Sequence, residues 1–207
     1  MSQPLDRGRM QPALGKIDED AGEFWVENPF MMQSLGLNLS AYERNKLYLN
    51  VGAGDFLDAS FASKADIDSD SRSVIAADFN RDGATDLLVG SVGGGPLRLF
   101  LNRLSQGSRV LVKLQGKESN HSAIGSRVTL YCGDRMIMRD KFCENGFMGQ
   151  GPGELLIGVG NAERIDRLIV RWPTGRIQEF QDLSVDSEIT ITEGADEAQV
   201  LPSTWRQ

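Results

Sequence analysis

A chain of 207 residues with a net charge of −7 is long enough for one or two domains and too acidic to favour nucleic acid or an anionic membrane surface as a partner. Its 40% hydrophobic and 25% charged residues are ordinary for a globular protein and exclude wholesale disorder. No apolar run reaches membrane-spanning length, so no membrane insertion is expected, and Met1–Lys16 lacks the apolar centre of a signal peptide.

Residues 1–42 carry scattered Pro and Gly, the acidic run Asp18-Glu-Asp20 and an apolar stretch, Phe30–Leu37, without clear alternation; this segment reads as irregular. Residues 43–105 then read as short strands at Lys46–Val51, Phe56–Ser60, Ser73–Asp78, Asp86–Ser91 and Leu97–Asn102, separated by turn residues. After a boundary near Ser105–Ser108, residues 106–195 give a second run: Val110–Leu114, Arg127–Tyr131, Met136–Phe142, Leu155–Val159, Ile165–Trp172, Arg176–Phe180 and Glu188–Thr192. Short strands at this spacing predict a sandwich or barrel. Leu168, Val170 and Trp172 alternate with Arg167, Ile169 and Arg171, so Trp172 is expected in a core, and Pro173-Thr-Gly175 supplies the turn that follows. Cys132 and Cys143 flank a hairpin turn at Gly133-Asp134 but sit at different depths along it, which favours buried free thiols over a disulfide. Residues 196–207 read as a polar tail that frays.

One loop between two of these strands concentrates oxygen ligands. In Asp78-Phe-Asn80-Arg-Asp82-Gly83-Ala84-Thr-Asp86, side-chain oxygens fall at loop positions 1, 3, 5 and 9, with the main-chain carbonyl of Ala84 between the last two. Calcium takes about six to eight hard oxygen ligands from such a turn, and Gly83 permits its sharp bend. Closely spaced carboxylates repel one another without a cation, which argues in the same direction. Magnesium fits less well because it demands a stricter octahedron. An EF-hand is excluded, since both flanks read as strands and Val89 stands where a bidentate Glu is required. The competing reading is a metal-free turn built from residues that favour turns anyway.

The segment Tyr48-Leu-Asn-Val-Gly-Ala-Gly-Asp-Phe-Leu-Asp-Ala-Ser60 followed by Ala77–Val89 resembles an FG-GAP or VCBS repeat. Ser119-Asn120, Ile124–Val128, Gly146–Gln150, Ile157–Gly160 and Arg164–Arg176, with its Trp172-Pro173-x-Gly175 signature, resemble the ASPIC/UnbV domain. The resemblance implies an all-β protein in which a single propeller-type blade (43–105) that binds calcium precedes an antiparallel β-sandwich (106–195). It also implies an extracellular, cell-surface or periplasmic setting, and makes 1–42 a candidate remnant of a preceding blade. A propeller needs several blades, so either further blades or neighbouring domains accompany this chain, or its one blade packs into a unit of its own.

Signals for catalysis are sparse. His121, the only histidine, lies in the polar run Ser119-Asn-His-Ser122 and reads as an exposed loop residue; the chain has no Gly-x-Ser-x-Gly elbow. Gly93-Gly-Gly-Pro96 is followed by a strand rather than a helix, so it reads as a turn and not a phosphate cradle. Asp66, Asp68 and Asp70 are a candidate second cation site against a solvated loop. Trp25, Trp172 and Trp205 are candidates for stacking on sugar rings, with core packing the favoured reading for Trp172. The expectation is a calcium-stabilised, non-catalytic binding or adhesion module with a protein or carbohydrate ligand. A carbohydrate-binding accessory domain is the alternative, and an enzyme of unrecognised type the third class.

Overall fold

In a computed structural model of the chain, the described residues are 3–4, 37–38, 44–67, 71–91, 97–104, 107–142, 146–147 and 149–205. They contain strands and turns and no helix, and none of the sheets closes into a barrel. Two units divide the chain: Met1–Val74 with Leu88–Phe100, and Ile75–Leu87 with Leu101–Gln207.

In the first unit, β1 (Gln3–Pro4) pairs with β2 (Leu37–Asn38), and the rest of the 1–42 region lies outside the described residues. The run Gly52-Ala53-Gly54, all at positive φ, turns β3 (Tyr48–Gly52) back onto β4 (Asp55–Asp58). Both glycines meet the demand of that turn for left-handed backbone without penalty. Ser60, almost fully buried, accepts the Leu47 N–H on its hydroxyl and ties the hairpin to the chain before it. A three-stranded sheet follows, in the order β5 (Ser71–Ala77), β6 (Asp86–Ser91), β7 (Arg98–Phe100). The described strands of 43–105 therefore form a ribbon and a separate sheet rather than one continuous four-stranded blade.

The second unit is a sandwich of two four-stranded sheets. One has the order β10 (Arg135–Asp140), β9 (Arg127–Cys132), β12 (Arg164–Arg171), β13 (Ile177–Ser184). The other has the order β11 (Leu155–Gly160), β8 (Ser108–Gln115), β14 (Ser187–Thr192), β15 (Gln199–Pro202). Alternate residues of both sheets fill one core: Val110 and Val112 of β8, Val128 and Leu130 of β9, Leu168 and Val170 of β12, Ile189 and Ile191 of β14, with Trp172 among them. The period-two pattern that placed Trp172 inside is thus met. Trp172 N–H donates to the Arg176 carbonyl (2.9 Å) and Gly175 N–H to the Trp172 carbonyl (2.9 Å), which closes the expected turn between β12 and β13. Cys132 is a buried free thiol whose pKa is raised chiefly by burial; Cys143 lies outside the described residues.

Two expectations need correction. The sandwich is not wholly antiparallel, because β14 runs parallel to β8, from Ser187 opposite Val110 to Thr192 opposite Gln115. The chain visits the other sheet between these strands, and that excursion is the crossover that parallel pairing requires. Nor does the C-terminal segment fray as a polar tail. β15 adds to the free edge of β14, Val200 and Ala198 pack against the core, and Ser203 N–H donates to the Asp186 carbonyl at 3.1 Å.

Candidate functional site

The acidic loop joins β5 to β6, and its polar side chains fold back onto its own backbone. Asp78 accepts N–H bonds from Asp82 (3.0 Å) and Gly83 (2.8 Å), one on each oxygen. The Asp82 carboxylate accepts from Ala84 N–H (2.8 Å) and the Asn80 amide (2.8 Å). The Ala84 bond, then that of Asn80, holds the Asp82 pKa below the usual carboxylate range, with Arg109 and Arg103 adding charge attraction. Asp86 is fully buried and accepts from Phe79 N–H (3.0 Å) and Asn102 N–H (2.8 Å). It ties both ends of the loop to the strand that leaves it and to the segment after β7.

Whether these groups suit a cation turns on what each has left to give. Every carboxylate oxygen just described accepts one hydrogen bond and retains a second lone pair, and Asp78, Asn80 and Asp82 are partly or wholly exposed. Among the described residues, however, no three acidic, histidine or cysteine side chains already converge as a metal cage. The loop thus offers hard oxygen donors, each carboxylate oxygen already accepting one hydrogen bond.

A second sequence element braces the loop from the sandwich side of the same unit. The Arg109 guanidinium of β8 donates to the Asp82 carbonyl (2.9 Å) and lies over the Trp205 ring, 5.0 Å from its centroid. Gly83, buried with φ +79°, is the point of closest approach: a Cβ there would collide with Arg109 Nε and sit 2.9 Å from the Trp205 ring. Gly83 thus serves both the bend and the packing of Arg109 and Trp205.

These segments coincide with two family models. Residues 36–89 match the FG-GAP-like repeat, and residues 116–198 match ASPIC and UnbV. An FG-GAP-like repeat precedes an ASPIC and UnbV domain. No curated protein matches the chain.

The acidic loop is part of the FG-GAP-like match, yet it groups with the unit that holds the ASPIC and UnbV domain. Beside it, within that unit, opens a cavity of about 470 Å³ lined by Asp78, Arg81, Lys113, Arg139, Glu188 and Trp205 among others. Lys113 pairs with Glu188 at 2.6 Å.

Inside the ASPIC and UnbV domain, sequence reasoning missed Glu193. Its Oε2 accepts the backbone N–H groups of Lys117 (2.9 Å), Glu118 (2.9 Å) and Ser119 (2.7 Å), and its Oε1 the hydroxyls of Ser119 (2.8 Å) and Thr174 (2.9 Å). Burial alone would push its pKa up, but these donors together bring it down to about 2. The signal was present in the alternation, since Ile189, Ile191 and Glu193 share the inward face of one strand direction.

The other expected candidates divide. His121 is exposed, as its loop setting predicts. Asp66 pairs with Arg44, while Asp68 and Asp70 lie outside the described residues, as do Gly93–Pro96 and Trp25.

Proposed function

We propose that this chain is a non-catalytic binding or adhesion module in which the 78–86 loop takes up calcium as a structural ion. The observation that carries the reading is the loop itself. Oxygens at Asp78, Asn80, Asp82, the Ala84 carbonyl and Asp86 are presented within one turn, and the carboxylates keep lone pairs after their backbone bonds are counted. The ion would neutralise three carboxylates and fix the turn that Arg109 and Trp205 rest on. A propeller-type blade as the origin of the 43–105 strands is part of this reading, with further blades or neighbouring domains as partners. Exposed Tyr48, Phe56, Leu57 and Phe61 support it, because a repeat of this kind buries its faces against others. Among the described residues no helix is long and apolar enough to cross a membrane. An extracellular, cell-surface or periplasmic setting follows from the site class, since calcium sites of extracellular modules have dissociation constants of about 10⁻⁴ to 10⁻³ M.

Thermal melting of metal-free protein tests the calcium site. Calcium at a hundredfold excess over its dissociation constant adds about 2.7 kcal/mol, visible as a raised Tm. Asp82→Asn keeps an oxygen for Ala84 N–H but removes a charge, and should abolish most of that rise. Melting curves that coincide with calcium and with chelator would overturn the proposal.

A carbohydrate-binding role is the second reading, favoured by Trp205. Its half-buried ring lines the 470 Å³ cavity beside Arg81, Arg139 and Asp140, the combination of aromatic face and polar edge that sugar rings engage. Glycan-array binding lost in Trp205→Ala, with calcium response unchanged, would favour it over a protein ligand.

A further inference from the structure

The cavity of about 470 Å³ beside the acidic loop carries a charge pattern that discriminates among sugars. Three cations line it, Arg81, Lys113 and Arg139, together with four carboxylates, Asp78, Asp140, Glu154 and Glu188. Most of the negative charge is already spent. Glu188 pairs with Lys113 at 2.6 Å, and Asp140 takes the Arg127 guanidinium on both of its oxygens, at 2.6 and 3.0 Å. Each oxygen of Asp78 accepts a backbone N–H of its own loop, from Asp82 and from Gly83. Glu154 is left, and it is exposed.

The guanidiniums, by contrast, meet neutral partners. Arg139 Nη1 donates to the Met138 carbonyl at 2.8 Å. Arg109 lies over the Trp205 ring that lines the cavity and donates to the Asp82 carbonyl, while its buried Nε has no hydrogen-bond acceptor. Arg81 is exposed and stands at φ +59°, a left-handed conformation that residues with a Cβ seldom adopt and that gathers at ligand clamps. In a chain of net charge −7, this stretch of surface therefore has positive charge to offer.

We propose that the cavity binds a saccharide bearing a carboxylate on its ring, a uronate, with Arg81 and Arg139 as charge partners and Trp205 as the stacking face. The assignment rests on the carbohydrate reading of the same cavity and narrows it. A guanidinium presents two parallel N–H donors at the spacing of a planar carboxylate, and a pyranose packs its C–H face on an indole. Thr85 and Thr204 line the same cavity and supply hydroxyls for those of the sugar. Leu111 and Leu156, opposite one another on β8 and β11, give its apolar lining. The volume falls within the range of small-molecule sites, about 300–1,000 Å³. A doubly charged anion suits it less, because Glu154 repels the second charge.

Calorimetric titration of the intact chain with trigalacturonate, and with the same trisaccharide as its methyl ester, tests the assignment at fixed ionic strength and fixed free calcium. The ester keeps the rings and removes the charge. The acid should bind roughly tenfold more tightly than the ester or better, and the preference should shrink as salt is raised. Arg81→Gln and Arg139→Gln should each reduce it, and the double variant should abolish it while the weaker ester binding persists. Both side chains are exposed, so the variants should keep the wild-type circular dichroism and Tm. Equal binding of acid and ester, lost in Trp205→Leu, would overturn the uronate assignment and leave the carbohydrate reading standing. Binding of neither would remove both. An acid preference that survives in the double variant would also overturn the proposal, because the charge would then be read elsewhere.

Discussion

At the residue scale, Glu193 and Gly83 illustrate two ways in which one side chain governs a loop. Glu193 gathers three successive backbone N–H groups and two hydroxyls from residues 117–119 and Thr174, so it acts as the anion of a nest that the protein fills itself. Its folded pKa, about 2, lies below the reference value of 4.5. A group depressed in this way stabilises the fold fully above its unfolded pKa, and that stabilisation is lost as the pH falls from about 4.5 toward 2. Glu193→Gln should therefore lower Tm at neutral pH and flatten the acid limb of the stability profile, a comparison made by denaturant melts across that window. Gly83→Ala imposes a left-handed conformation on a residue with a Cβ, costing about 1–2 kcal/mol, and in addition drives that Cβ into Arg109. Loss of the Arg109–Trp205 stack, read from tryptophan fluorescence, should accompany the lowered stability. Truncating Trp172, 1% exposed at the centre of the core, should cost about 3–5 kcal/mol as Trp172→Ala.

At the scale of elements, alternation and turn chemistry were legible in the sequence, and edge completion was not. β6 begins and ends where its apolar run predicts, and the Trp172–Gly175 turn sits where Pro and Gly place it. β15 was invisible because its apolar residues, Val200 and Leu201, sit in a short segment rich in polar residues; its existence depends on the open edge of β14, a non-local cause that no window of sequence displays. The parallel register of β8 with β14 is equally non-local. The acidic loop was legible as an oxygen-rich turn, whereas the role of Asp86 as a buried acceptor for Phe79 and Asn102 depends on a residue sixteen positions away. Because β15 is paired, limited proteolysis should spare Gln199–Pro202, and removing residues after Gly194 should lower Tm by uncovering β14. Early cleavage within β15 would contradict that assignment.

Across the whole molecule, the sequence order of the two family matches and the physical grouping of the chain differ. Residues 75–87 belong to the first match by sequence and to the sandwich unit by contact. The bracing of the Asp82 backbone by Arg109 is the local expression of that grouping. A chain of residues 101–207 should consequently retain the strand signature of the sandwich in circular dichroism, yet melt below the full protein, because Arg109 loses its acceptor and Trp205 its neighbour at Gly83. Equal melting temperatures would mean that the loop contributes nothing to the sandwich.

The parallel pairing of β8 with β14 also sets an order in time. β8 stands at the middle of its sheet, but its partner on one side follows more than seventy residues later, with Ser187 opposite Val110. As the chain leaves the ribosome, β8 can dock with β11 on one side while its other edge stays open until β14 has been made. Closing so long a loop precedes the reward of the contact, which places refolding in the slow range of about milliseconds to seconds typical of non-local β proteins. During that interval the unpaired edge of β8 is a template for any passing strand. The protein's yield on refolding should therefore fall steeply with concentration even where the finished fold is stable, and a chaperone that shields strand edges should restore it.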